Sequence, residues 1–179
     1  GILITNMHCI KKNNIANYTI NVEEQINKMI EKLGVSELFT INLNGIIGDD
    51  TNGHIDNFIR FIDNETIVYF ASKDESYCNY QLACKLAKQV EDIVNRSKII
   101  KQAIPLYHCK DDELIMNGKI YPYSKLNFIA TTECFIFPCI SSNRESLQHD
   151  LDGLPSNTKI YVINTEAALT EYGGLHCLT

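Results

Sequence analysis

One order of elements, strand, strand, helix, strand, recurs three times along this chain at a spacing of roughly 50 residues. No other feature narrows the fold as far. A unit of that length with one apolar helix face cannot bury the face alone, so the units must pack against one another around an axis. In the first copy Ile2 to Thr5 and Cys9-Ile10 read as extended, a helix follows, and Leu38 to Leu43 is extended again. That helix is clearly delimited: Asn21 caps it, Val22, Ile26, Met29, Ile30 and Leu33 form its apolar stripe, and Gly34 ends it.

The second copy pairs Ile55 to Ile62 with Thr66 to Ala71 as a hairpin turned at Asp63-Asn64-Glu65. Ala83, Leu86, Ala87, Val90 and Val94 then repeat at helical spacing within a helix from Tyr80 to Val94. A strand over Ile99 to Leu106 closes the unit, with Pro105 expected at its end because proline cannot donate to a ladder. The third copy pairs Lys125 to Ala130 with Cys134 to Cys139, followed by a short helix near Glu145 and a strand at Lys159 to Ile163. Asn164 then suits the cap of a helix from Thr165 to Tyr172, and Gly173-Gly174 breaks into an expected final strand carrying Cys177. Between the last two copies, Tyr107 to Ser124 carries the Asn117-Gly118 turn signal and reads as a surface loop or small hairpin.

A chain of 179 residues with 45% hydrophobic residues can fill a core, so residues 1–179 are expected to form a single domain of α/β class. The net charge of −6 and the lack of any Lys/Arg run give no reason to bind nucleic acid or anionic lipid. Acidity suits a cationic small molecule instead. No apolar run nears the ~20 residues of a membrane span and no secretory signal opens the sequence, so a cytoplasmic location is expected. The seven cysteines are odd in number and irregularly spaced, as free thiols in a reducing compartment would be. His-Cys occurs at His8-Cys9, His108-Cys109 and His176-Cys177, but without the ligand spacing of a zinc site, so no metal is expected. The sequence opens inside a strand and stops two residues past Cys177, which reads as part of a longer protein.

Two stretches carry the chemistry. Gly48-Asp49-Asp50-Thr51-Asn52-Gly53-His54-Ile55-Asp56-Asn57 offers an imidazole and a carboxylate two positions apart, a spacing that puts both on one face of a strand. Gly173-Gly174-Leu175-His176-Cys177 offers a thiol beside glycines. Cys177 is the candidate nucleophile, and a bound cation would help form its thiolate. His54 is the candidate general acid and base, the role imidazole most often fills. Asp56 can accept two guanidinium N–H groups as carboxylates do from arginine, or can simply be a strand-edge carboxylate. Asp49 and Asp50 are either loop formers or contacts to the far end of a substrate. His176, in a strand, would point away from the face of Cys177, so a structural role is expected for it.

Together with the interposed Ser124-Lys125-Leu126-Asn127-Phe128, these stretches resemble, in the same order, the agmatine deiminase and bacterial-type peptidylarginine deiminase family of the guanidine-modifying superfamily. The resemblance covers essentially the whole chain. It implies a pentein-type α/β propeller of five modules, about three of them present here, with the active site at the axis. It also implies a hydrolase without metal or organic cofactor, in which Cys177 attacks the guanidinium carbon, His54 protonates departing ammonia and Asp56 holds the guanidinium. The expected reaction is agmatine to N-carbamoylputrescine and ammonia, a step of putrescine and polyamine biosynthesis. The alternatives are a peptidylarginine or free-arginine deiminase and a non-catalytic, decayed relative. Family members carry two further carboxylates before the position of Gly1, so this chain is expected to be inactive alone. A homodimer is a family expectation. Tyr172 departs from the pattern by standing where relatives commonly have glycine, and Lys125 by replacing a frequent tyrosine.

Overall fold

A computed structural model describes residues 1–17, 21–152, 154 and 158–179. Strand β1 (Ile2–Asn6) runs straight into helix α1 (Met7–Asn17), and α2 (Val22–Leu33) returns the chain to β2 (Glu37–Ile41). β2 lies parallel to β1, with Ile2 opposite Glu37 and Asn6 opposite Ile41. Parallel neighbours need a long crossover, and the two helices supply it. Cys9 and Ile10 are therefore helical, where an extended segment was expected. The cause is Asn6, whose buried side chain accepts the His8 N–H at 3.2 Å and turns the chain at the end of the strand. The caps of α2 agree with expectation: Asn21 Oδ1 accepts the Glu23 N–H at 3.0 Å, and Gly34 takes φ +60°. Its apolar stripe is only half covered, however, and Leu33 is exposed.

In the second module β3 (Ile59–Phe61) and β4 (Thr66–Ser72) form the expected hairpin, with Asp63 Oδ1 accepting the Glu65 and Thr66 N–H groups at 2.8 and 2.7 Å. Helix α3 (Tyr80–Arg96) crosses over to β5 (Gln102–His108), which lies parallel to β4. Pro105 sits inside β5 opposite Tyr69, not at its end. It is tolerated there because β5 is the outer strand of the order β3-β4-β5 and needs donors on one side only. The expected strand from Ile55 is shortened as well: Ile55–Asn57 is a single 3-10 turn, and extended structure begins at Ile59.

A small hairpin of β6 (Leu114–Met116) and β7 (Lys119–Tyr121) follows, turned by Asn117 and Gly118 at φ +52° and +73°, the left-handed pair of a type I′ turn. The third module is β8 (Ile129–Ala130), β9 (Cys134–Cys139), α4 (Arg144–Leu151) and β10 (Lys159–Asn164), the last parallel to β9. Lys125 to Asn127 form a turn in place of the expected strand start. Helix α5 (Glu166–Thr170) begins just after Asn164, whose Oδ1 accepts the Glu166 N–H at 3.0 Å. The expected final strand is instead a 3-10 turn, His176–Leu178.

One apolar core runs through all three modules, from Ile4 and Phe39 through Phe58, Phe70 and Leu86 to Phe128, Phe137 and Leu147. Phe128 joins the second module to the third, its ring 4.5 Å from that of Phe137 and beneath the Arg60 guanidinium at 4.7 Å. Each such side chain contributes about 1.5–3 kcal/mol on burial, so the modules hold one another in place. No helix among the described residues is long and apolar enough to cross a membrane.

Candidate active site

The loop that ends at His54 is folded by its own carboxylate. Asp49 Oδ1 accepts the Thr51 N–H at 2.8 Å and its hydroxyl at 2.5 Å, while Oδ2 accepts the Gly53 N–H at 2.9 Å. Asn6 ties the loop to the first module, donating from Nδ2 to Leu43 O at 2.8 Å and Gly53 O at 2.7 Å. Gly53 is required here: it takes φ +81°, and a Cβ would stand 2.7 Å from Asn6 Nδ2. The backbone then enters the 3-10 turn that presents Asp56.

Asp56 meets the other end of the chain. Its Oδ2 lies 2.8 Å from His176 Nδ1 and accepts the Asn127 amide at 3.0 Å, while Oδ1 is buried with no hydrogen-bond partner. An imidazole nitrogen facing a carboxylate oxygen carries the proton, so His176 donates from Nδ1. Asn127 Nδ2 is also 3.2 Å from Asn57 Oδ1 and 3.6 Å from Cys177 Sγ. Its Oδ1 accepts the His176 N–H at 2.8 Å. Gly174 admits this arrangement, since a Cβ there would collide with the Asn127 amide. Behind the site Arg60 is mostly buried; desolvation pulls its guanidinium below the usual range, and the charge of Asp56 opposes that shift.

The turn that carries Asn127 is anchored from below by buried polar groups. Ser124 Oγ donates to Asn57 O at 2.9 Å, locking the turn to the strand entry beside Asp56. The buried Lys125 ammonium bonds Tyr107 O at 2.5 Å and pairs with Asp150 at 3.1 Å and Asp112 at 3.2 Å. The Lys125 N–H donates to His108 Nε2 at 3.0 Å, and His108 Nδ1 donates to Leu106 O at 3.0 Å, which fixes a neutral tautomer. Burial first, then the Lys125 charge, push the His108 pKa down to about 3.

Cys177, His54 and Asp56 therefore line one open hollow together with Thr51, Tyr172 and His176. The route differs from the expected one. His54 and Asp56 do not share a strand face, because a 3-10 turn begins directly after His54; its exposed ring makes no capping bond. His176 does not point away from the site but holds Asp56, because Cys177 rides on a turn and not on a strand. Asp49 lines the adjoining cleft with its oxygens committed to the loop, and the exposed Asp50 lines neither hollow. Asn127 had no expected role, and only its place in the Ser124–Phe128 stretch marked it. Tyr172 takes φ +62°, the left-handed region that favours glycine, the residue that the resemblance leads one to expect there. Among the described residues no group of His, Cys, Asp and Glu is arranged to hold a metal ion.

Residues 1–179 match the family described as Porphyromonas-type peptidyl-arginine deiminase. A candidate agmatine deiminase of Legionella pneumophila (strain Paris) is 25% identical over 183 residues, covering 100% of this chain and 51% of that protein. A solved structure of a candidate peptidyl-arginine deiminase superposes with a TM-score of 0.87 at 23% identity, covering 99% of this chain and 52% of its own. An agmatine deiminase of C. jejuni with substrate bound gives a TM-score of 0.81 at 24% identity, with 99% and 51% covered. These structures establish the pentein-type α/β fold. The chain spans about half the length of the relatives it matches.

Proposed function

The chain belongs to the Porphyromonas-type peptidyl-arginine deiminase family, and on that premise we propose that the protein hydrolyses the guanidinium group of agmatine to N-carbamoylputrescine and ammonia. The observation that carries this reading is the buried Oδ1 of Asp56, an acceptor without a partner beside the hollow that Cys177 lines. A buried carboxylate oxygen left unsatisfied costs about 1–3 kcal/mol or more, and a guanidinium N–H is the donor type that removes the cost.

In the proposed reaction the Cys177 thiol gives its proton to His54 as Sγ attacks the guanidinium carbon, and the C–N bond to one amino group breaks as His54 passes that proton to the departing nitrogen. Ammonia leaves and a thiouronium adduct remains. Water, deprotonated by His54, then adds to that carbon; the C–S bond breaks, releasing the ureido product and restoring the thiol. Asp56 holds the cation throughout and favours the charge that the adduct retains.

Agmatine is preferred because the similar proteins from Legionella pneumophila and C. jejuni carry that substrate in their names. The family description supports peptidyl-arginine as the second reading. The three modules act as one domain in this proposal, and a cytoplasmic location and a homodimer belong to it as family expectations. Ureido product should form when the full-length protein meets agmatine, and none with the 179-residue chain alone. Turnover retained by a Cys177→Ala variant would sink the mechanism. Turnover of a blocked arginine peptide in preference to agmatine would move the assignment to the second reading.

A further inference from the structure

The Asn127 amide touches both ends of the site at once. Its Nδ2 faces Asp56 Oδ2 at 3.0 Å, Asn57 Oδ1 at 3.2 Å and Cys177 Sγ at 3.6 Å, while its Oδ1 holds the backbone N–H of His176 at 2.8 Å. We propose that Asn127 is a positioning residue that couples Asp56 to Cys177, setting the thiol beside the carboxylate and donating a hydrogen bond to the thiolate. The proposal rests on the preceding assignment for the roles of Asp56 and Cys177.

Two features support the orientation of this amide. The His176 N–H can only donate, so the atom facing it must be the carbonyl oxygen, and the NH2 group must face the two side-chain oxygens. The turn beneath is rigid, because Ser124 and Lys125 are tied to Asn57, Asp112 and Asp150 through buried polar contacts. Asn127 thus links residues 71 and 50 positions away in sequence through one rigidly held group.

The amide has two hydrogens for three acceptors. Donation to the thiol at 3.6 Å therefore competes with donation to Asp56 Oδ2 and Asn57 Oδ1. A cation that engages Asp56 reduces the carboxylate's claim and releases donation toward Sγ, where it favours the thiolate as charged acceptors favour any N–H. Cation binding and nucleophile formation are thereby linked through Asn127.

The test is alkylation of Cys177 by iodoacetamide in the full-length protein over a pH series, read by mass spectrometry of the peptide that holds it. Thermal melting establishes that each variant is folded. The titratable groups that line the hollows around this thiol are Asp49, His54, Asp56, Tyr123, Tyr172 and His176, and all stay unchanged. Asn127→Ala should alkylate about tenfold more slowly below the midpoint, with the profile displaced upward by about one pH unit. Asn127→Asp keeps the acceptor for His176 and the side-chain shape, yet should be displaced further, because a carboxylate replaces the donor. The added charge of Asn127→Asp displaces the profile in any case, so the uncharged Asn127→Ala displacement decides, and a structural role alone predicts none in a folded variant. An unaltered profile in either folded variant overturns the proposal, and Asn127→Ser, uncharged and without the amide donor, decides in place of the alanine variant if that does not fold. Failure of the unaltered protein to turn over agmatine would overturn the assignment of function and not this linkage, since alkylation needs no substrate.

Discussion

His176 Nδ1 and Asp56 Oδ2 lie 2.8 Å apart although 120 positions separate the two residues in sequence. One imidazole thus commits one oxygen of the carboxylate and leaves the other for a ligand. Replacing Asp56 by Asn removes the charge without changing the shape, and kcat/KM for agmatine should fall about a thousandfold. His176→Ala should cost only about tenfold, because Asn127 still holds Oδ2 at 3.0 Å. Steady-state assay of ureido product checks both, and an Asp56→Asn variant within tenfold of the unaltered protein would exclude the carboxylate as the cation's partner.

His108 makes stability depend on acid. Its pKa is lowered from 6.5 to about 3 because burial and the Lys125 charge both oppose protonation. The unfolded chain therefore binds one more proton than the folded chain between those values, so stability is full above pH 6.5 and declines as pH falls toward 3. Over the drop from pH 6.5 to 4 the loss should reach about 3 kcal/mol. Urea titrations at several pH values measure it, and His108→Gln should flatten the dependence by that amount. An equal slope in the variant would assign the acid sensitivity to other groups.

The Lys125 ammonium lies with Asp112 and Asp150 beneath the site turn, with the Lys125 and Asp112 side chains 2% and 0% exposed. Removing one member of such a cluster leaves buried charge uncompensated, so Lys125→Met should destabilise by about 3–5 kcal/mol. Asp150 is partly exposed, and Asp150→Asn should cost less than half as much. Denaturant midpoints decide the order. Near-equal losses would mean that the pair with Asp150, and not the one with Asp112, carries most of the cluster's stabilisation.

Elements fixed by short-range chemistry were legible in the sequence. The Asn21 and Gly34 caps, the Asp63 turn and the Asn117-Gly118 hairpin each depend on residues within a few positions, and each formed as expected. The second and third modules show the strand-strand-helix-strand order read from hydrophobic period and turn residues, whereas the first is strand-helix-helix-strand. Besides Cys9-Ile10 and Pro105, the misplaced parts lie at the site. The two-residue spacing of His54 and Asp56, and the break at Gly173-Gly174 before Cys177, each point to a strand, and both segments are 3-10 turns. Their conformations are held by bonds from Asp56 to His176 and from Asn127 to both segments, and no local pattern encodes contacts between residues 49 to 120 positions apart. Cys177, His54 and Asp56 could still be named as candidates because their chemistry, unlike their geometry, is a property of residue type, and the fold brings the three to one hollow.

Tyr172 separates backbone strain from side-chain packing. It follows α5 at φ +62°, where a side chain costs roughly 1 kcal/mol relative to glycine. Its ring offsets that cost by packing 5.6 Å from Tyr121, with the Lys119 ammonium 4.6 Å above it. Tyr172→Ala loses the packing and keeps the strain, whereas Tyr172→Gly loses the packing and the strain together. The glycine variant should therefore be more stable than the alanine variant by about 1 kcal/mol, although both lack the ring. Thermal melting of the two in parallel measures the difference. An alanine variant as stable as the glycine variant would mean that the turn relaxes out of the left-handed region once the ring is gone, and that the ring itself holds the backbone there.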